Sequence, residues 1–313
     1  MKKFKIIIAG IGGVGGYFGG KLANSLQGSE EVEIIFYARG KNLDAIRSNG
    51  LTVQTAEGKF TANPALSTDN AAEIGLADLI ICCVKSYHLE TVIRELNPCI
   101  GNSTVILPLL NGTDAPERLR KIRPGAEIWA GCAYIVARLT DPGMIEQKGN
   151  VNSLHFGSDN GDKEKLRQVQ NIFLSAGIDS HLHPHITEIV WQKFVFISAI
   201  GSLTSYLHTS IDVILANDGY KKLLLSLLSE ISTIAKAKRI RLPEDLTDTI
   251  LKRLASLPAG TTSSMQKDFA DGKQTELDTL AGYVIRLGEE LKVPTPTYEL
   301  VVKKLSSQNN KPA

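Results

Sequence analysis

Two kinds of hydrophobic pattern divide this chain. In its first part, short and nearly continuous apolar runs alternate with helical or loop segments, which is typical of parallel strands covered on both faces. Beyond His185, apolar residues recur at every third or fourth position, and no run predicts a strand. The runs predicted as strands of the parallel sheet are residues 4–9, 31–38, 77–84, 104–110 and 127–135.

Further elements are predicted between and after these strands. Residues 51–63 predict a hairpin that turns at Glu57 and Gly58, and residues 143–158 predict two short strands at an antiparallel edge. Residues 162–177 predict an amphipathic helix that ends at Gly177. Long helices are predicted at residues 186–207, 218–240, 244–257, 262–291 and 295–308.

A glycine cluster follows the first predicted strand directly and opens a helix. Gly10 permits a tight turn, and Gly12 removes the Cβ atom that would block the approach of a pyrophosphate. Gly15 allows the helix to pack closely on the strand, and Gly13 completes the cluster. Because a strand precedes and a helix follows these glycines, we predict a dinucleotide site rather than a turn that needs glycine for steric reasons alone.

The end of the second predicted strand indicates which dinucleotide is bound. An NAD enzyme carries Asp or Glu there for the ribose hydroxyls, whereas this chain has Arg39, with Lys41 close behind and no acid between Ile34 and Lys41. A solvated basic loop is the alternative interpretation. With the glycine cluster upstream, we predict NADP, and therefore an NADP-binding Rossmann-type domain at residues 1–185 followed by a helical substrate and catalytic domain at residues 186–313.

Composition and net charge limit the partners and the location that this protein is expected to have. The chain has 313 residues, 43% of them hydrophobic and 22% charged, and a formal net charge of +2, which gives no reason to expect nucleic acid or a membrane as a partner. No apolar stretch looks long enough to span a membrane, because Lys, Glu or Gly interrupts each one. We therefore expect a cytoplasmic protein with a small-molecule substrate, and a homodimer remains open.

Cysteine and histidine do not predict a metal site. Cys82 and Cys83 are adjacent on a predicted strand and point to opposite faces, so we expect thiols in the core. His181, His183 and His185 alternate along an extended segment with a proline and without an accompanying carboxylate cluster, which favours a surface strand end over metal ligands.

Four polar residues are candidates for chemistry. Lys85 and Asn111 stand at the carboxyl ends of two predicted parallel strands, where ligands bind in open α/β sheets, although a solvated strand end and an ordinary Asn-Gly turn are the alternatives. Lys193 is a single cation in a long apolar stretch, and Glu276 lies in another helical segment. A lysine near a carboxylate can protonate a carbonyl oxygen that gains hydride.

The motifs GIGGVGG, YARG, CVKSYH, LLNG, VWQKF, SSMQKD and QTELD occur in this order across nearly the whole chain. Together they resemble the ketopantoate reductases (2-dehydropantoate 2-reductases), NADPH-dependent enzymes of pantothenate biosynthesis. The resemblance implies that Lys193 is the general acid and that Glu276 binds a substrate hydroxyl or the cofactor ribose. It also implies that Ser264 meets the substrate carboxylate. Asn111 and Lys85 would contact the cofactor, Asn111 also the substrate, and Ala137 would line the nicotinamide end.

The chain departs from that family at the substrate. The family typically has asparagines one and two helical turns after the lysine, where this chain has Ile197 and Gly201, and a third asparagine is replaced near Ile211. We expect an apolar wall with extra space at these positions. The alternatives to reduction of 2-dehydropantoate are therefore a related 2-keto acid or β-hydroxyacid reductase, and a non-catalytic NADPH-binding sensor.

Overall fold

The strands of the first part of the chain form two separate sheets. The structure is a computed structural model and describes residues 2–309. By contact the chain divides into two units: residues up to Leu110 with Ala115–Ile186, and Asn111–Asp114 with the residues from Thr187 onward. Within the described residues the strands are β1 (Phe4–Ala9), β2 (Val32–Tyr37), β3 (Leu51–Thr55), β4 (Gly58–Ala62), β5 (Leu66–Thr68), β6 (Leu79–Cys82), β7 (Val105–Pro108), β8 (Glu127–Ile128), β9 (Ala130–Asp141), β10 (Met144–Gly157) and β11 (Ser180–Leu182).

The first sheet is parallel and doubly wound. Its six strands run in the order β5, β2, β1, β6, β7, β8, and all of its pairings are parallel. Isoleucine, valine and phenylalanine side chains on both faces are buried, as expected for strands covered by helices on each side. The helices of this unit are α1 (Gly13–Ser25), α2 (Gly40–Asn49), α3 (Leu89–Glu95), α4 (Ala115–Ile122) and α5 (Lys163–Ser175).

The second sheet differs from the prediction. The predicted strand at residues 127–135 splits at Trp129: its first two residues form β8 in the parallel sheet, and the rest begins β9 in the other sheet. Trp129 is fully buried and stacks on Phe156, so the crossing point is anchored in the core. Where two short strands were predicted at the edge, Met144–Gly157 form one long strand, β10, which pairs with three other strands of this sheet.

β10 holds this second sheet together. It pairs antiparallel with β9 and parallel with β3 and β11, while β3 and β4 form the predicted hairpin. The hairpin turns at Ala56 and Glu57, one residue earlier than expected, because Gly58 already pairs with Thr55. The strand β11 leads directly to the junction with the helical unit.

Between Thr187 and Asn309 the chain forms helices and turns only. The predicted helix at residues 262–291 is broken: it ends at Ala270, where Gly272 takes a φ of +65°, and resumes after Glu276 through a π-helical turn, Asp278–Gly282. The helices are α6 (Ile186–Leu207), α7 (Ile211–Ala216), α8 (Asp218–Ala237), α9 (Leu246–Ala255), α10 (Ser264–Ala270), α11 (Tyr283–Leu291) and α12 (Pro296–Asn309).

Helix α6 is the central helix of this unit. Trp191, Phe194, Val195 and Leu203 are buried among side chains of the other helices. Among the described residues, α6 alone is long and apolar enough to cross a membrane by length and composition, whereas no such stretch was expected from the sequence. Most of that apolar window is buried inside the protein, as in a core helix.

The predicted single boundary after residue 185 and the two units defined by contact disagree over one short segment. Asn111–Asp114 follow β7 in the chain but group with the helical unit. The reason is local: the side-chain oxygen of Asn111 accepts a hydrogen bond from Lys193 of α6. Thr279 of the π-helical turn also lies close to Gly112.

Candidate active site

The glycine turn between β1 and α1 has the geometry of a phosphate site. Gly10 takes a φ of +93°, which glycine adopts without strain. A Cβ atom at Gly15 would lie 2.1 Å from the carbonyl oxygen of Gly10, so this glycine is required for close packing of α1 on the turn. A Cβ atom at Gly12 would meet nothing within 4 Å. Gly12 is the N-cap of α1, so the open side of the turn faces the unpaired N–H groups of the helix.

The strand β9 closes the other side of this turn. A Cβ atom at Gly13 would lie 2.1 Å from the carbonyl oxygen of Ala137, which places Ala137 directly beside the start of α1. Asn42 braces the same region, because its side-chain amide donates to the carbonyl of Ile11 and accepts from the N–H of Gly143. Sequence reasoning missed Asn42, whose partners are far apart in the chain.

The carboxyl end of β2 carries Arg39, as expected, but acidic groups accompany it. The Arg39 guanidinium pairs with the carboxylate of Glu95, the last residue of α3, and lies 5.8 Å from the ring centre of Tyr37. Asp69 lines the same surface depression. Arg39 has no acid close to it in the sequence. In the fold, however, the carboxylates of Glu95 and Asp69 lie near it, and both come from other parts of the chain.

Lys85 lies at the carboxyl end of β6, where the sequence placed it. It is partly buried and precedes a short 3-10 turn, Ser86–His88. Arg118 of α4 braces that turn by donating to the carbonyl of Ser86 and to the carboxylate of Glu90. The hydrogen bonds from Arg118 hold the pKa of Glu90 below its usual value.

In the helical unit, Lys193 and Asn111 meet. The Lys193 ammonium donates to the side-chain oxygen of Asn111 over 3.0 Å, and both side chains are partly buried. Gly112 follows with a φ of +103°, so the Asn-Gly turn does use glycine's freedom. The amide oxygen of Asn111 orients one N–H group of this partly buried ammonium.

Glu276 is buried at the start of the π-helical turn. Its carbonyl accepts hydrogen bonds from Thr279 and Leu280, which fixes the backbone at the entrance to the turn. The carbonyl of Thr279 lies 3.6 Å from a Cβ atom built at Gly112, so the Glu276 segment and the Asn111 segment are neighbours. A π-helical turn is rare and often marks a functional site, and the sequence pattern gave no indication of it.

The positions one and two turns after Lys193 on α6 are Ile197 and Gly201, and Ile211 begins α7. Ile197 is partly buried against the helical core, and Ile211 is buried. A Cβ atom at Gly201 would lie 3.4 Å from the Cε atom of Met265 and 3.7 Å from a methyl group of Leu280. These are ordinary van der Waals distances, so a methyl group fits at Gly201, and Met265 and Leu280 bound the space beyond it.

Ser264 is the first residue of α10 and its side chain is exposed. The preceding Ser263 is the N-cap: its hydroxyl accepts from the N–H of Gln266 and pairs with the hydroxyl of Thr204 on α6 over 2.7 Å. Ser264 is thereby held beside α6 through its neighbours Ser263 and Met265. The helical unit thus brings together Lys193, Asn111 and the Glu276 segment, whereas Ser264 lies beside the later part of α6, around Gly201 and Thr204.

The histidine run lies at the end of β11, and the rings of His181 and His183 stack there on His155. His183 is partly buried, and its Nε2 atom lies 2.9 Å from Nδ1 of His155 on β10. The His181 ring stacks on His155 with centres 4.7 Å apart, and its Nε2 atom lies 3.0 Å from a carboxylate oxygen of Asp179. Burial, together with the nearby His181, lowers the pKa of His183.

Comparison with known proteins identifies the family. The model of the ketopantoate reductase PanE/ApbA family matches residues 6–161, and the model of its C-terminal domain matches residues 185–309. A crystal structure of 2-dehydropantoate 2-reductase from Porphyromonas gingivalis W83 is 34% identical, covers 97% of this chain and 100% of its own, and superimposes with a TM-score of 0.86. The chain belongs to the ketopantoate reductase family.

Relatives within this fold differ in their described activities. An uncharacterised oxidoreductase of Bacillus subtilis strain 168 is 28% identical over 302 residues, which cover 96% of this chain and 97% of the relative. D-Mandelate dehydrogenase, whose structure contains NADH and anilino(oxo)acetate, is 22% identical with a TM-score of 0.85 over 98% of each chain. This last similarity shows the fold alone.

Family membership makes the chain an oxidoreductase that uses a pyridine nucleotide. The residues present fit that cofactor: the open side of Gly12, the positive φ of Gly10 and the N-terminus of α1 form a cradle into which a pyrophosphate can come close. The first unit therefore has the features of a nucleotide site, and the helical unit has those of a proton donor.

Proposed function

We propose that this protein reduces a 2-keto acid to the 2-hydroxy acid with NADPH, and that its substrate is 2-dehydropantoate, reduced to pantoate in pantothenate biosynthesis. The hydrogen bond between Lys193 and Asn111 carries this proposal. It presents an ammonium group in a partly buried, partly apolar setting, where protonation of a developing alkoxide is most useful. The proposal includes a cytoplasmic location and leaves a homodimer open.

Residues of the first unit would hold the cofactor. Gly10, Gly12, Gly13 and Gly15 shape the pyrophosphate cradle, while Arg39, Lys85 and Ala137 contact other parts of the nucleotide. When bound, the nicotinamide supplies a hydride to the carbonyl carbon of the substrate.

Residues of the helical unit would act on the substrate. Lys193 donates a proton to the carbonyl oxygen as that oxygen becomes a hydroxyl, so the keto acid gains one hydride and one proton in total. Asn111 keeps the ammonium group oriented. Glu276 holds a hydroxyl of the substrate or of the ribose, and Ser264 donates to the substrate carboxylate.

A second candidate is reduction of a less hydroxylated 2-keto acid. Ile197, and Met265 packed against Gly201, present hydrocarbon on the α6 face that follows Lys193. A substrate hydroxyl placed against hydrocarbon loses its hydrogen bonds to water, which costs roughly 1 to 3 kcal/mol. A non-catalytic sensor is less well supported, because such a protein has no use for both Lys193 and Glu276.

The test offers the protein a panel of 2-keto acids with and without a hydroxyl group at C4. The fall in NADPH absorbance measures the rate at which each one is reduced. Lys193→Ala should lower kcat by about two to four powers of ten and leave NADPH binding nearly unchanged. Lys236→Ala, which removes an exposed lysine of α8, is the matched control and should change neither quantity. Binding of NADPH without reduction of any keto acid in the panel would favour the sensor.

A further inference from the structure

Arg39, the residue expected to recognise a 2′-phosphate, already has an anionic partner. Its guanidinium pairs with the carboxylate of Glu95, and the hydroxyl of Tyr37 donates to the same carboxylate oxygen over 3.1 Å. The side chains of Arg39 and Glu95 are 50% and 36% exposed, so a ligand at the surface can reach both. The guanidinium, the carboxylate and the phenol thus form one cluster at the carboxyl end of β2.

Carboxylates outnumber cations among the residues that line the depression around Arg39. Asp69 lines the same depression as Tyr37, Arg39 and Glu95, so two carboxylates accompany the one guanidinium there. Burial of the Tyr37 ring raises the pKa of its phenol; the charge of Arg39 opposes this rise, and the charge of Asp69 adds to it, so both charged groups lie within electrostatic reach of the phenol. Tyr37 therefore remains a neutral hydrogen-bond donor to Glu95.

The two pyridine nucleotides meet this cluster differently. A 2′-phosphate needs the guanidinium as its donor and is repelled by a carboxylate, so it must displace Glu95 from Arg39. A 2′-hydroxyl can donate to the free oxygen of Glu95 while the ion pair stays intact. An acid at the end of the second strand normally makes that contact with the ribose. Here the acid comes from α3 instead, far away in the sequence.

We propose that Glu95 is a specificity-determining residue for the cofactor: paired with Arg39 and Tyr37, it competes with the 2′-phosphate of NADPH and accepts the 2′-hydroxyl of NADH. The protein then binds both nucleotides, and its preference for NADPH is smaller than Arg39 alone would give. This inference rests on the proposed function only in that a pyridine nucleotide binds at the glycine turn.

The test measures binding of NADPH and of NADH to the intact protein by nucleotide fluorescence, without a keto acid. Glu95→Gln should tighten NADPH binding by about three- to tenfold and leave NADH unchanged or up to about threefold weaker. Arg39→Ala should weaken NADPH by about tenfold or more and NADH far less. Glu31→Gln is the control: it removes the same charge from an exposed residue just before β2, at the opposite end of the strand, and should leave the ratio unchanged.

The outcomes separate this inference from the proposed function. An NADPH-to-NADH affinity ratio that Glu95→Gln leaves within twofold of the wild type, or shifts no more than Glu31→Gln does, overturns the role of Glu95. Glu95→Asp, which keeps the charge but draws it back by one methylene, should give an intermediate ratio, and its failure to do so counts equally against the role. A wild-type protein that binds neither nucleotide contradicts the proposed function itself.

Discussion

At the scale of single residues, Gly12 and Gly13 are adjacent but have different reasons to be glycine. Gly12 has an extended backbone, with a φ of −94°, and open space where a side chain would point. Gly13 lies against the carbonyl of Ala137 on β9, where a Cβ atom has no room. The first position therefore leaves space for a ligand, and the second leaves space for the protein's own backbone.

Replacing each of these glycines by alanine should separate binding from stability. Gly12→Ala should fold with nearly wild-type stability but bind NADPH at least about tenfold more weakly, because its methyl group occupies the approach to the pyrophosphate. Gly13→Ala should lower the free energy of unfolding by about 2 to 4 kcal/mol, since β9 must move away from α1.

Urea titrations report the stabilities, and nucleotide fluorescence reports the binding. Each variant serves as the control for the other. If Gly12→Ala bound NADPH as tightly as the wild type does, the phosphate would not pass over this glycine.

At the scale of elements, the start of α12 depends on an acid from another helix. The carboxylate of Glu230 on α8 accepts from the backbone N–H groups of Thr297 and Tyr298 over 2.9 and 3.2 Å. Pro296 has no N–H group, so these are the first two donors of the helix. Tyr298 is fully buried, and its hydroxyl bonds to Ser198 of α6. Glu230 therefore fixes the end of α12 that carries this buried contact.

Glu230→Ala should lower the free energy of unfolding by about 1 to 3 kcal/mol, because two N–H groups lose their acceptor. Glu290→Ala removes an exposed acid of α11 and should change stability by less than about 0.5 kcal/mol. Chemical denaturation followed by circular dichroism measures both. Equal losses in the two variants would show that Glu230 does not act as a cap.

The elements that the sequence predicted well are those defined by a local pattern. The apolar runs of β1, β2, β6 and β7 and the helix α5 needed no knowledge of distant residues. The split at Trp129 and the pairing of β10 with three strands are set by contacts between distant residues, and no local period encodes that choice. The break before Glu276 depends on a glycine within a strongly helical pattern, which periodicity alone passes over.

In the candidate site, too, some residues could be recognised from the sequence alone and others only from the fold. Lys193, Asn111 and Gly12 stand out in the sequence because each is the wrong kind of residue for an ordinary strand, helix or core position. Glu95 and Met265 look like ordinary helix residues and gain their importance only from what the fold places beside them, Arg39 and Gly201. Which side chains lie beside Arg39 and Gly201 depends on contacts between residues far apart in the chain. The sequence alone therefore could not show the carboxylate beside Arg39 or the methionine beside Gly201.

At the scale of the whole molecule, the chain passes from one unit to the next directly after the histidine stack. Burial and the positive potential of a neighbouring His181 lower the pKa of His183 from its ordinary value of 6.5. The unfolded chain therefore takes up this proton more readily than the native protein does. This histidine stabilises the folded state at neutral pH, and the stabilisation is lost as the pH falls through and below about 6.5.

His183→Asn should therefore reduce the fall in thermal stability between about pH 7.5 and pH 5.5. The comparison is of the change in Tm with pH and not of Tm itself, because the substitution also removes the contact with His155 at every pH. His185→Asn, at an exposed position, is the matched control. An unaltered pH dependence in His183→Asn would show that another group accounts for the acid sensitivity.

The interleaving of the two sheets along the chain has a consequence for how the protein is made. The hairpin of β3 and β4 emerges from the ribosome early, but its partner β10 is synthesised only after most of the parallel sheet. At about 5 to 20 residues per second, the edge of β3 waits several seconds for that partner. Throughout this time an unpaired strand edge is exposed on the nascent chain, and such edges are open to wrong pairing. A ribosome that pauses between β4 and β10 would prolong this exposure, so the pace of translation over that stretch should influence the yield of native protein.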